Sequence, residues 1–146
     1  MTLRTHRRRR FPAALVVSIV LLSVPAASSA AFESGSYERV PRKLCPIDWR
    51  QGRFQVKKLI RCAEARWAVP GGASKALSIA NRESNFRPTA YNSYSGAAGI
   101  YQHLRRYWPG RATDYGFKGR SAFNGRANIM VTMRMVHRGG WHPWDG

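Results

Sequence analysis

Acidic residues are few in this chain: 7 Asp and Glu stand against 25 Lys and Arg in 146 residues. That imbalance rules out a charge-balanced surface and selects for polyanionic partners, whose approach a positive field accelerates. Cysteine is scarcer still, with only Cys45 and Cys62. Their spacing fits no zinc pattern and no histidine lies nearby, so nothing in the sequence points to a metal. The longest apolar stretch, Phe11 to Val24, is interrupted by Pro12 and Ser18. It falls short of the ~20 apolar residues that cross a bilayer. Helix-turn-helix, zinc-finger and RNA-binding signatures are missing as well, so nucleic acid is not an expected partner.

The N-terminus carries Arg4 and the run Arg7-Arg8-Arg9-Arg10, then the apolar stretch, then Pro25-Ala26-Ala27-Ser28-Ser29-Ala30. A basic segment, a short apolar core and small residues at Ser28 and Ala30 make up a secretory signal peptide, residues 1–30, cleaved after Ala30. Export implies a secreted or wall-associated protein and an oxidising compartment, where Cys45 and Cys62 are expected to form a disulfide. Loop-closure entropy then contributes ~3 kcal/mol to a domain with a modest core. Residues 31–54 show no sustained period and read as an irregular arm pinned by Cys45. The domain proper is expected over 55–146, as a monomer.

Within that domain, Gln55 to Trp67 reads as a helix with Val56, Leu59, Ile60, Ala63 and Trp67 on one face. Val69-Pro70-Gly71-Gly72 breaks it, and a second helix begins near Ser74. Ala76, Ile79, Ala80 and Glu83 follow at i, i+3, i+4 and i+7, which sets one carboxyl on an apolar face at the helix's C-terminal end. Desolvation and the negative end of the helix dipole both favour a neutral acid there, as general-acid chemistry requires. The plain alternative for Glu83 is an ion pair with one of the many arginines. Phe86-Arg87-Pro88 is expected to stop the helix. Tyr91 to Gln102 is rich in turn formers, with Ile100-Tyr101 as a short strand. His103 to Tyr115 reads as a short helix interrupted by Pro109-Gly110. A last helix has Asn124 as its N-cap, an apolar stripe at Ile129, Met130, Met133 and Val136, and Gly139-Gly140 as its end.

Glu83-Ser84, Ala90-Tyr91-Asn92, Ser95-Gly96-Ala97 and Gly99-Ile100-Tyr101-Gln102, in that order, resemble the lytic transglycosylase domain of the lysozyme superfamily. The resemblance covers roughly residues 55–146. It implies an α+β, predominantly helical, lysozyme-like domain with a small loop or hairpin flanking a glycan cleft. Glu83 would be the catalytic acid, and Asn92, Ser93, Tyr101 and Gln102 would line the cleft. Trp108 matches a packed aromatic that follows the Gln. Turn chemistry alone is the alternative for Asn92 and Ser93. Two departures stand out: Tyr101 replaces the family's Met, and a Trp-His-Pro-Trp ending replaces its later Ala-Tyr-Asn-Ala-Gly-like motif. Trp141 and Trp144 are therefore candidate sugar-stacking residues, or else locks that hold the C-terminus on the core.

The expected activity is cleavage of peptidoglycan between N-acetylmuramic acid and N-acetylglucosamine, with Glu83 as acid and then base, giving 1,6-anhydro ends. One carboxyl in both roles calls for no cofactor. A hydrolytic muramidase on the same fold is the alternative enzyme, and a non-catalytic cationic glycan-binding module the alternative outside enzymology. The expected partners are peptidoglycan strands and anionic wall polymers. No carboxylate other than Glu83 is recognisable from sequence as a second catalytic acid.

Overall fold

The structure, a computed structural model, describes residues 40–145 apart from residue 42. The expected signal peptide and most of the N-terminal arm lie outside the described residues. Four α-helices and a three-stranded antiparallel sheet are present: α1 (Arg53–Arg66), α2 (Gly72–Ser84), β1 (Tyr91–Asn92), β2 (Ala97–Ala98), β3 (His103–Leu104), α3 (Trp108–Asp114) and α4 (Gly125–Gly139). Short 3-10 turns at Trp49–Gln51 and His142–Trp144 flank them. The α+β, mostly helical class expected from the sequence is therefore present. No helix among the described residues is long and apolar enough to cross a membrane.

Helix α1 buries Val56, Leu59, Ile60 and Ala63, the expected stripe, against α2 and α4. In α4, apolar residues run almost all round the helix, so it can serve two cores at once. Ile129, Met130, Met133 and Val136 join the larger core with α1, α2, Tyr101, Trp141 and Trp144. Ala127 and Val131 join a smaller one with Ala98, Trp108, Ala112 and Ala122. The Asn124 side chain caps α4 by accepting from the Ala127 N–H at 2.9 Å, and Gly140 closes the helix at φ 74°.

The cysteines do pair, Cys45 with Cys62, across a separation of 17 residues. A second tie reinforces the arm: the Arg126 guanidinium of α4 donates to the carbonyls of Cys45, Leu44 and Pro41 at 2.8, 2.6 and 3.0 Å. Burial lowers its pKa from the usual arginine value.

Three local expectations need correction. Helix α2 stops before its proline, because Asn85 and Phe86 take left-handed φ values of 51° and 61° and their N–H groups return to the helix carbonyls of Asn81 and Ala80. Ile100-Tyr101 is the turn between β2 and β3 rather than a strand. Gly99 at φ 81° and Gln102 at φ 49° reverse the chain there, and the Gln102 N–H donates to the Gly99 carbonyl. Pro109 does not interrupt a helix but starts α3, where its missing N–H costs nothing.

The sheet is small and its register is Tyr91 to Ala98, Asn92 to Ala97, Ala97 to Leu104 and Ala98 to His103. Asn128 of α4, wholly buried, holds it in place. Its Oδ1 accepts from the Tyr101 N–H at 2.9 Å, and its Nδ2 donates to the carbonyls of Ala122 and Ala98 at 2.9 and 3.4 Å. The β2–β3 turn, through Gln102, the end of α2 and the C-terminal segment line one cleft.

Candidate active site

Helix α2 delivers Glu83 one residue before its own C-terminus. The residue that completes the buried face is Ser84, not Glu83. The Ser84 hydroxyl donates to the Ala80 carbonyl at 3.2 Å and to the Ile100 carbonyl at 2.8 Å, tying the helix end to the β2–β3 turn. Glu83 falls at the margin of that face, with its side chain 23% exposed. It is half-buried and opens onto a cleft of about 280 Å³ lined by Arg82, Glu83, Gln102, Pro143, Trp144 and Asp145.

Arg82 organises the carboxyl. Its guanidinium donates twice to Glu83 Oε1, from Nε at 3.1 Å and from Nη2 at 2.9 Å. The same Nη2 donates to the Trp144 carbonyl at 2.6 Å. One oxygen of Glu83 is thereby fixed against the C-terminal segment, while Oε2 has no partner among the described residues. The ion pair that stood as the plain alternative for Glu83 exists, and it occupies half of the carboxylate.

Gln102 sits across the cleft. Its side-chain N–H groups donate to the carbonyls of Gly99 at 2.8 Å and Ala90 at 3.2 Å, which holds the turn and leaves the amide oxygen as an acceptor. Trp144 borders the cleft through its carbonyl. Its ring is buried against Tyr101, His103 and Trp141 and its indole N–H donates to the Tyr101 carbonyl at 2.8 Å, so it serves as a lock on the C-terminus rather than a stacking surface. Behind it stands His103, fully buried, with Trp144 edge-on at 5.5 Å and Trp108 at 5.1 Å between ring centres. Burial first, then the Arg111 cation, lowers the His103 pKa to about 3. Arg111 Nη1 lies 2.9 Å from Nδ1 and can only donate, so Nδ1 accepts and the ring's proton sits on Nε2, shared with Thr132 Oγ1 at 2.7 Å. The packing behind the cleft is thus a neutral, hydrogen-bonded unit.

Other residues expected in the cleft lie elsewhere. Tyr101 is in the core, wholly buried, and its hydroxyl donates to the Ala76 carbonyl at 3.0 Å. Trp141 is buried beside it, with its indole N–H on the Pro70 carbonyl at 2.8 Å. These placements correct the expectation that the two side chains face a ligand: each satisfies its polar atom inside the protein, and neither has surface left to stack on a sugar. Trp141 takes its alternative role as a lock on the C-terminus. Asn92 is exposed, but its Oδ1 accepts from the N–H groups of Tyr94 and Ser95, which is turn chemistry. Ser93 is exposed on the same turn, away from the residues that line the cleft. Trp108 is packed in the smaller core and donates its indole N–H to the Arg120 carbonyl.

Two residues of the cleft were not recognisable from sequence. Arg82 is one arginine among many, and only its adjacency to Glu83 hinted at a role. Asp145 looked like a tail residue, yet it lines the same cleft as Glu83 and pairs with Lys75 at 3.5 Å. A larger hollow of about 500 Å³, bounded by Trp108, Pro109, Ala112 and Lys118 among others, is more apolar and contains no carboxylate. No group of three or more His, Cys, Asp or Glu side chains among the described residues could hold a metal ion. Comparison with protein-family models, curated proteins and solved structures gives no match.

Proposed function

We propose that this protein is an exported lytic transglycosylase that cleaves peptidoglycan, with Glu83 as its one catalytic carboxyl. In this reading Glu83 protonates the glycosidic oxygen between N-acetylmuramic acid and N-acetylglucosamine. As the carboxylate it then takes the proton of the muramic acid 6-hydroxyl, whose oxygen attacks the anomeric carbon and closes a 1,6-anhydro ring. Proton transfer by a positioned side chain typically contributes 10²–10⁴-fold, on the order of what one well-held carboxyl can supply. The observation that carries the reading is the asymmetry of Glu83. Arg82 orients one oxygen, and the other is unpartnered in a polar cleft that also offers the Gln102 amide oxygen. The order of the motifs around Glu83, resembling the lytic transglycosylase domain, supplies the substrate class. The positive surface suits wall polymers that carry phosphate or carboxylate.

Asp145 favours a second reading, a hydrolytic muramidase. An inverting hydrolase uses a second carboxylate ~6.5–9.5 Å from the acid to activate water, and Asp145 shares the cleft with Glu83. Mass spectrometry of muropeptides released from purified peptidoglycan separates the two. Anhydro ends, abolished in Glu83→Gln and largely retained in Asp145→Asn, are the expected result. Reducing ends, together with an Asp145→Asn variant as inactive as Glu83→Gln, replace the transglycosylase by the muramidase. Wild type as inert as Glu83→Gln on every peptidoglycan tried leaves a binding module.

A further inference from the structure

Helix α1 spends its apolar stripe on the core, and what remains faces solvent. At 100° per residue, Arg53, Lys57, Arg61, Phe54 and Lys58 follow one another along an arc of about 140° away from that stripe, which also takes in Glu64 and Ala65. Four of the five are cations, and none of the four makes an ion pair among the described residues. The helix's one acid, Glu64, falls between Arg53 and Lys57 and is half-buried, so the arc is uninterrupted by acid only from Lys57 to Lys58. Upstream, Asp48 is occupied by Arg50 at 3.4 Å. Between Arg61 and Lys58 on the arc stands Phe54, 65% exposed, with the Lys58 ammonium 4.7 Å from its ring centre. Lys57, half-buried, lies over Phe86 at 4.6 Å. A phenylalanine on the solvent side of a helix whose core face is already filled contributes nothing to packing.

We infer that this face of α1 docks the domain on an anionic lipid surface. The inference is independent of the cleft and of the reaction proposed for it. Charge alone would suit any polyphosphate, but a polymer dissolved in water gives Phe54 no apolar environment. A lipid interface offers both: phosphate for the arginines and lysines, and the acyl boundary just beneath for the ring. Lysine and arginine stems are long enough to keep their heads among the phosphates while the phenyl group sinks past them. The arc is convex and narrow, as adsorption to a surface needs, and the buried stripe keeps the helix from inserting further.

The test uses the whole chain, with residues 1–39 identical in every variant, and sedimentation with vesicles of phosphatidylcholine or of phosphatidylcholine with 30% phosphatidylglycerol (about that fraction). Each basic residue near an anionic surface is worth about fivefold in binding, so replacing Arg53, Lys58 and Arg61 with Gln lowers the anionic-to-neutral ratio about 100-fold. Phe54→Ser lowers binding to anionic vesicles about tenfold and leaves binding to long-chain polyphosphate in solution unchanged. Replacing Lys43, Lys118 and Arg120 with Gln removes the same charge elsewhere and has a much smaller effect. Circular dichroism and thermal unfolding verify that each variant is folded. Equal losses in the two triple variants would mean that net charge, not this face, does the binding. Wild-type binding by the α1 triple overturns the assignment outright. A Phe54→Ser variant that keeps full vesicle binding, with the α1 triple weakened equally on polyphosphate, makes the face a reader of phosphate polymers and ends the membrane reading.

Discussion

Acidification should destabilise this protein through His103. The ring is sealed between Trp108 and Trp144, accepts from Arg111 at Nδ1 and donates from Nε2 to Thr132, whose hydroxyl donates in turn to the Asn128 carbonyl at 2.7 Å. A proton added at Nδ1 would point at a guanidinium that is itself all donors. Burial and that cation together hold the folded-state pKa down at about 3, against an ordinary 6.5. The unfolded chain binds the proton as pH falls through 6.5, whereas the folded one does not until about 3, so stability declines with falling pH between those limits. At 1.36 kcal/mol per pH unit, moving from pH 7 to pH 5 costs roughly 2 kcal/mol, a large share of the stability of a small domain. Urea unfolding at half-unit steps from pH 7 to pH 5 measures it, with His103→Gln as the reference chain whose curve lacks this slope. Should His103→Gln unfold at pH 7, nitrogen NMR of the wild-type ring gives the same answer: the Nε2–H tautomer persists to pH 5. Parallel slopes in the two chains, or a wild-type ring that titrates near pH 6 while folded, refute the reasoning.

Replacing both cysteines with Ala should lower unfolding free energy by ~3 kcal/mol, read from urea melts, since the closed loop constrains the unfolded chain. Thiol titration of the unreduced, denatured wild type should detect no free sulfhydryl; two would mean the bridge is absent in solution. Gly99→Ala should cost more, on the order of 3–5 kcal/mol, because a methyl there would collide with the Ala122 carbonyl and the Asn128 amide at a left-handed φ of 81°. A melting temperature within a degree or two of wild type would show that the β2–β3 turn can move away from α4. Under the proposed reaction, Arg82→Gln should reduce peptidoglycan cleavage at least ~10-fold, the cost of misplacing one catalytic group, while stability falls by about 1 kcal/mol, as for an exposed charged contact. Arg82→Lys, which keeps charge but loses the fork, should recover stability more than turnover. Equal activity in all three would remove Arg82 as a positioning residue.

Periodicity by itself determined α1, α2 and α4 to within two or three residues, because each turns a stripe into the larger core and the 3.6-residue repeat records that burial directly. The Asn124 cap, the closing glycines and the disulfide were equally legible, since each depends on local backbone chemistry or on there being two cysteines. Only the tertiary structure decided which residues meet in the cleft. Tyr101 and Trp141 read as ligand platforms because an aromatic ring looks the same in sequence whether it faces a sugar or a core. Their backbone acceptors, Ala76 and Pro70, lie 25 and 71 residues away, and no spacing announces such contacts. Arg82 and Asp145 were missed for the converse reason. Arg82 acquires its role by reaching the Trp144 carbonyl 62 residues on, and Asp145 by being carried to Glu83 by the fold of the C-terminal turn. Local structure follows from neighbours along the chain, but a site assembled across long loops exists only once the cores have closed.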